Sequence, residues 1–155
     1  MYTGKHAYLR PLQPAFIMAA TGEAVTYREL EARCNRLAHL FRKHGLQRLD
    51  HYSIFMENNS RYLEACGAGE RSGLYYTCIN SFLTPGELAY LLVNSQSKIL
   101  ITSVAKLDIA GSAYGIRRNA SSTGGAEPKA RISSTCAGLS TAKTDCTSEV
   151  FMPGS

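Results

Sequence analysis

The stretch TYRELEARCNRLAHLFRKHG, residues 26–45, decides how this chain folds. Thr26 is followed three residues later by Glu29, which is the pattern of a helix-starting capping box. Apolar residues then recur at helical spacing along one face: Leu30, Cys34, Leu37, Ala38 and Phe41. Gly45 can adopt the left-handed conformation that ends many helices. The sequence therefore predicts a helix over residues 27–44 with one buried face.

Upstream of this helix, Pro14 precedes an apolar run over residues 15–20, and a Thr-Gly-Glu turn over residues 21–23 leads into residues 24–26. Two short apolar runs joined by a tight turn predict a β-hairpin. Residues 1–14 form a lead-in that lacks the apolar run of a secretory signal. We therefore expect no export, and a cytoplasmic chain.

Downstream, apolar β-forming runs at residues 52–56, 74–79 and 98–102 alternate with helical patterns at residues 61–71 and 84–94. Parallel strands need such crossover connections, because a tight turn cannot join them. The predicted fold class is α/β: a partial, doubly wound, mostly parallel sheet with flanking helices over residues 15–103. A disordered C-terminal tail is predicted to follow it.

The tail, residues 104–155, is rich in Ser, Thr, Ala, Gly and Arg, and its large apolar residues are isolated. Such a segment is not expected to offset an ordering cost of roughly 1 to 2 kcal/mol per residue. Within it, residues 121–129 loosely imitate a phosphate-binding loop that ends in Pro-Lys. Their order is wrong and no apolar strands flank them, so we interpret the match as coincidence.

Composition excludes several functions. The net charge is +5, but basic and acidic residues are interleaved over the chain as a whole, which predicts a solvated surface rather than nucleic-acid binding. No run approaches the ~18 apolar residues of a transmembrane helix. The cysteines are odd in number and form no C-x-x-C pair, which argues against disulfides and zinc and favours reduced thiols: Cys34, Cys66, Cys78, Cys136 and Cys146. Cys34 and Cys66 are predicted to lie in the core.

The polar residues that could form a site lack the spacing or the pairing that a site needs. The histidines lack metal-ligand spacing: His39, His44 and His51. The carboxylates show no catalytic pairing: Glu57, Glu64 and Glu70. Tyr75 and Tyr76 fit strand packing, and Asn80 fits a loop. The sequence therefore predicts no catalytic, cofactor-binding or metal-binding residue in this chain.

Several spaced motifs together resemble the N-terminal region of acyl-CoA synthetases, which are AMP-binding, adenylate-forming enzymes. They occur in the family's order between about Phe16 and Ser103: VTYREL (residues 25–30), NRLA (35–38), GL (45–46), EN (57–58), RSGLYYT (71–77), IN (79–80) and LTPGELAY (83–90). The fatty-acid–CoA ligase branch is the most similar. Three departures from the family pattern are Leu49 in place of Gly, Gly67 in place of a large aromatic residue, and Cys78 in place of Pro.

The resemblance implies an ATP-dependent activation of a fatty acid to an acyl adenylate, followed by transfer to coenzyme A with Mg2+ present. It also implies that the groups gripping ATP and the acyl chain lie much further along the polypeptide. We therefore expect a truncated relative that lacks the ATP-binding and catalytic motifs, needs no cofactor of its own and is inactive alone.

Two alternatives stay open at this point. The chain could be one half of a split ligase completed by a separately encoded remainder, or a non-catalytic interaction module that docks through an uncovered face. The abrupt change of composition near Val104 also suggests the hypothesis that the tail is a frameshift product.

Overall fold

The computed structural model describes residues 3–121 and 131–134. The elements in chain order are α1 (Thr3–Leu9), β1 (Pro14–Ile17), β2 (Ala24–Thr26), α2 (Tyr27–Lys43), β3 (His51–Phe55), α3 (Tyr62–Ser72), β4 (Tyr75–Ile79), α4 (Pro85–Asn94), β5 (Ile99–Thr102), a 3-10 turn (Val104–Lys106), α5 (Leu107–Ser121) and β6 (Arg131–Ser134). The hairpin, the three helices and the three strands predicted between residues 15 and 103 are all confirmed. None of the described helices combines the length and the apolar character that a membrane span needs.

The chain divides into two compact units, and the first comprises residues 3–50 and 58–76 of the described part. Its centre is α2, which begins at the predicted capping box: the Thr26 side chain accepts from the Glu29 N–H, and the Glu29 carboxylate accepts from the Thr26 N–H. Val25, Leu30 and Cys34 form a buried cluster against the β1–β2 hairpin. The capped apolar helix therefore organises this unit, as its sequence predicts.

Two of the three departures from the family pattern have local physical explanations in this unit. Leu49 has φ 72°, a left-handed conformation that glycine adopts without cost and other residues adopt rarely. A Cβ on Gly67 would lie 2.6 Å from the Sγ of Cys34, so α2 and α3 approach too closely here for any larger residue. Cys34 and Gly67 therefore form a matched small pair where the family often has a large aromatic side chain.

Helix α1 was not predicted within the lead-in of residues 1–14. It is seven residues long, contains no buried residue and so presents no apolar periodicity. Polar and aromatic contacts hold it against α2: the Thr3 hydroxyl donates to Glu31 at 2.7 Å, and the His6 and Tyr27 rings stack with centroids 5.1 Å apart. Short elements fixed by such tertiary contacts leave little signal in the sequence.

The second unit comprises residues 51–57 and the described residues from Thr77 onward. Its sheet has the strand order β4-β3-β5-β6. The β3–β5 pair is parallel, as predicted, and the β5–β6 pair is parallel as well. Side chains from β3, β4, β5, α4 and α5 form one buried cluster: Phe55, Ile79, Leu88, Ala89, Leu92, Leu100, Ala110 and Ala113. The core of this unit therefore lies between the sheet and the α4–α5 pair.

The prediction that nothing after Val104 contributes to a core is wrong for residues 104–115. Helix α5 occupies most of this stretch, and its Ala110 and Ala113 are both 0% exposed. Alanine side chains are too small to register as an apolar period, so the packing face of α5 was missed. The short strand β6 was also not predicted. The disorder expected at residues 122–130 and 135–155, and nearly all of the imitation phosphate loop, lie outside the described residues.

Candidate functional site

The order of the strands in the second unit marks one place where ligands bind in open α/β sheets. After β3 the chain forms β4 on one side of it and then β5 on the other side. The neighbouring strands β3 and β5 therefore mark the point where the strand order reverses. Crevices at the carboxyl ends of such strands are the usual ligand sites of this architecture. Phe55 and Thr102 are register partners at that end, and the residues after them therefore emerge together. We call this place the carboxyl edge.

An acidic and a hydroxyl side chain meet at the carboxyl edge. The Ser103 hydroxyl donates to Glu57 Oε2 at 2.5 Å, so Glu57 is not the unpaired surface carboxylate that the sequence predicted. The Ser103 carbonyl accepts from the Lys106 N–H at 3.1 Å, which closes the 3-10 turn. Lys106 Nζ then lies 5.4 Å from the centre of the Phe82 ring, at cation–π distance. The edge thus carries a carboxylate, an ammonium group and a highly exposed aromatic ring.

Thr102 adds a buried hydroxyl at the same edge. Its side chain is 2% exposed, and its Oγ1 is one of two buried side-chain oxygens without a hydrogen-bond partner among the residues that the structure describes. Leaving a buried donor unsatisfied typically costs ~1–3 kcal/mol. Cores seldom tolerate this cost without a reason, and functional sites are where it recurs. The carboxyl edge is therefore the candidate site of this chain.

At the opposite, amino end of β3 and β5, a second polar cluster is satisfied internally. Ser97 Oγ lies 2.6 Å from Ser53 Oγ and 2.8 Å from Ser95 Oγ, and Ser53 and Ser97 are buried. His51 Nδ1 lies 2.9 Å from the Ser95 carbonyl oxygen, which can only accept, so Nδ1 carries a proton. The three serine hydroxyls lie within hydrogen-bond distance of one another. We call this cluster the serine network and assign it a structural role.

The other polar residues considered in the sequence have structural roles. The Asn80 side chain accepts from the Phe82 N–H at 3.1 Å, which confirms the loop role predicted for it. Glu64 was predicted to be an unpaired surface carboxylate, and this is wrong: it is 9% exposed and pairs with Arg33 and Arg61 at 3.1 and 2.9 Å. Tyr75 is 58% exposed on an edge strand.

Cys34 is buried, as predicted, whereas Cys66 is only half-buried. Burial, followed by the nearby carboxylates of Glu31 and Glu64, raises the pKa of the Cys34 thiol to about 12. The thiol is therefore protonated and inert at neutral pH. Cys34 acts as a small apolar residue.

The histidines do not converge on a site. His39 is exposed and His44 caps the carboxyl end of α2. No group of three or more metal-binding side chains occurs among the residues described by the structure. Sequence reasoning missed Thr102 and Ser103, because their significance depends on strand order rather than on any local motif.

Comparisons with known proteins agree with this geometry. The family described as "AMP-binding enzyme" matches residues 5–149, and so continues past Ser103, where the resemblance was expected to end. The 4-coumarate–CoA ligase CCL1 of Humulus lupulus is 29% identical over 96 residues, which cover 62% of this chain and 18% of that enzyme. The chain thus spans less than a fifth of the length of this curated relative.

Two solved structures share the fold. A fatty acyl CoA synthetase of Mycobacterium tuberculosis has a TM-score of 0.67 and 22% identity, covering 85% of this chain and 24% of that one. The O-succinylbenzoate coenzyme A synthetase of Bacillus subtilis, in complex with AMP, has a TM-score of 0.63 and 26% identity, covering 68% and 27%. The motifs of residues 16–103, the parallel sheet and the family match over residues 5–149 lead to one conclusion: this chain belongs to the AMP-binding enzyme family.

Proposed function

We propose that this chain is a truncated relative of fatty-acid–CoA ligases that supplies scaffold rather than a complete active site. The observation that carries the proposal is the family match over residues 5–149 in a chain that covers only 18% of the relative quoted above. The spaced motifs between Phe16 and Ser103, which resemble the fatty-acid–CoA ligase branch most, support that branch. A cytoplasmic location, as expected from the sequence, belongs to the same proposal.

In the complete enzyme, a fatty-acid carboxylate attacks the α-phosphorus of ATP, which gives acyl adenylate and releases pyrophosphate. The thiol of coenzyme A then displaces AMP to give acyl-CoA. ATP, Mg2+ and coenzyme A are the cofactors of this full-length reaction, and we propose none for the present chain alone. The AMP bound in the related synthetase supports the adenylate step.

Inactivity of the isolated chain follows from the demands of this reaction. Phosphoryl transfer is catalysed by positioning and by converging charges, so groups must surround the nucleotide. At the carboxyl edge, the Glu57 carboxylate already accepts from Ser103, and the Lys106 ammonium lies over Phe82. These groups suit one wall of a crevice, and we propose that the opposite wall belongs to the remainder of the ligase.

A second candidate is the non-catalytic interaction module. Exposed apolar side chains in the second unit favour docking of another chain: Phe82 is 88% exposed, Tyr90 69% and Val93 54%. In a split ligase the same face would receive the separately encoded remainder. A purified chain that stays monomeric and soluble at high concentration would argue against both docking roles.

Pyrophosphate exchange tests the proposal. The purified chain is incubated with ATP, Mg2+, labelled pyrophosphate and a fatty acid, and incorporation of label into ATP is measured. We expect no exchange above a protein-free blank, and exchange on addition of the remaining part of a related ligase would support reassembly. Clear turnover by the chain alone would overturn the proposed inactivity.

The frameshift hypothesis for the tail remains a prediction. The family match to residue 149 and the helix α5 both weigh against a break at Ser103. Translating the source DNA in the other two frames downstream of Ser103 tests it directly. A family-like sequence in another frame would support a frameshift, and its absence would refute one.

A further inference from the structure

The positive charge of this chain is unevenly distributed at its amino end. Residues 1–22 contain Lys5, His6 and Arg10 and no aspartate or glutamate, and the first acidic residue is Glu23. Within this segment, therefore, no acidic side chain neutralises the positive potential of the basic ones.

Large apolar side chains are exposed within the same segment. Tyr8 is 86% exposed, Leu9 59% and Leu12 72%. These three residues lie at the end of α1 and in the turn that follows, where the Arg10 N–H donates to the His6 carbonyl and the Gln13 N–H to the Arg10 carbonyl. We call Tyr8, Leu9 and Leu12 the amino-terminal tip.

The direction of α1 is set by its contacts with α2. Thr3 bonds Glu31 and His6 stacks on Tyr27, so the face that carries Thr3 and His6 is the attached one. At 100° per residue, Lys5 and Tyr8 lie on the other side of the helix. The tip is thus held outward by a defined attachment, and its exposure does not result from a loose end.

Basic side chains flank the tip. Lys5 and Arg10 are both exposed and lie within the same short segment. Arg28, also exposed, is held nearby because its backbone N–H donates to the Pro11 carbonyl at 3.1 Å. An outward apolar cluster rimmed by positive charges is complementary to a negatively charged lipid surface.

We propose that the amino-terminal tip docks on membranes that contain anionic lipids, with Tyr8, Leu9 and Leu12 entering the interface and Lys5, Arg10 and Arg28 facing the headgroups. Charge complementarity favours this occupant, because residues 1–22 carry basic side chains and no acidic one. The exposed residues of the second unit do not share this property: Tyr90 and Val93 follow the exposed carboxylate of Glu87 on the same helix. The inference is independent of the proposed enzymatic ancestry.

Vesicle co-sedimentation of the full chain tests the proposal. The probes are phosphatidylcholine vesicles with and without phosphatidylserine. We expect binding to the anionic vesicles, weaker binding to the neutral ones, and a loss on raising the salt from ~0.1 M to ~1 M. The double variant L9S/L12S should bind about tenfold more weakly or worse, because two leucines no longer enter the interface. The double variant K5Q/R10Q should lose on the order of tenfold.

The matched control is Y90S/V93S, which removes two comparably exposed apolar residues from the second unit and should leave vesicle binding unchanged. Circular dichroism of each variant checks that the helices are retained. The proposal is overturned if the chain ignores anionic vesicles, or if the tip and control variants bind equally well. It is also overturned if the tip forms a dimer that does not bind vesicles.

Discussion

The two ends of strand β5 differ in how their polar groups are satisfied. At the amino end, the serine network pairs its hydroxyls with one another and receives the His51 ring on the Ser95 carbonyl. At the carboxyl end, the buried Thr102 hydroxyl has no hydrogen-bond partner among the described residues and lies beside the Glu57–Ser103 pair. Because buried hydroxyls gain stability only when paired, the amino end is built for stability and the carboxyl end retains capacity for binding.

Breaking the serine network should produce the largest effect. Ser97→Ala removes the hydroxyl that bonds both Ser53 and Ser95, so the buried Ser53 hydroxyl exchanges a 2.6 Å contact for the 3.4 Å contact to Ser95. We expect a loss of ~1–3 kcal/mol in the free energy of unfolding, measured as a lower urea midpoint at unchanged slope. An unchanged midpoint would mean that this network does not stabilise the fold.

The matching change at the other end of β5 is Thr102→Val. It replaces the buried hydroxyl by a methyl group of similar size, so no hydrogen bond to the part of the chain that the structure describes is lost. We expect a gain of ~1 kcal/mol in the free energy of unfolding. Destabilisation by Thr102→Val similar to that by Ser97→Ala would show that the two ends do not differ.

The Lys106–Phe82 contact at the carboxyl edge should contribute less. Phe82 is 88% exposed, and such cation–π pairs are worth ~0.5–1 kcal/mol at exposed sites. Lys106→Met, which keeps the aliphatic stem, should lower the free energy of unfolding by no more than this amount. A double-mutant cycle with Phe82→Ala isolates the contribution of this pair to the free energy of unfolding. If the losses of the two single variants add up to the loss of the double variant, the contact contributes nothing.

The smallest effect concerns the capping box of α4, which follows β4 at the loop containing Asn80. Hydrogen bonds from the Thr84 backbone and hydroxyl hold the pKa of Glu87 below its usual value of 4.5. Because the folded pKa is depressed, this stabilisation is present above pH 4.5 and is lost as the pH falls through the lower folded pKa. Glu87→Gln should remove that part of the acid sensitivity in a pH series of thermal melts. A Gln variant with the same acid profile would contradict this role.

Local signals in the sequence predicted most of the elements. Thr26 with Glu29 and Thr84 with Glu87 form capping boxes in the structure, and both helices begin where these pairs indicate. Such helix starts can be predicted from the sequence because each capping box involves residues only three positions apart.

Features that depend on distant partners were not predicted. Helix α1 is held by contacts to Glu31 and Tyr27, and α5 packs through Ala110 and Ala113, whose small side chains carry no visible period. The carboxyl edge also depends on β3 lying between β4 and β5, and no local sequence pattern predicts this strand order. Leu49 is an intermediate case. The family motif marked it as a departure from Gly, and its left-handed backbone shows why the motif has Gly at this position.

Nucleotide binding by the isolated chain tests the central claim most directly. In isothermal titration calorimetry with ATP and Mg2+, we expect no saturable heat. We propose that the carboxyl edge supplies only one wall of a crevice, whereas phosphate binding needs converging groups from several sides. A stoichiometric ATP complex with a micromolar or lower dissociation constant would contradict the account.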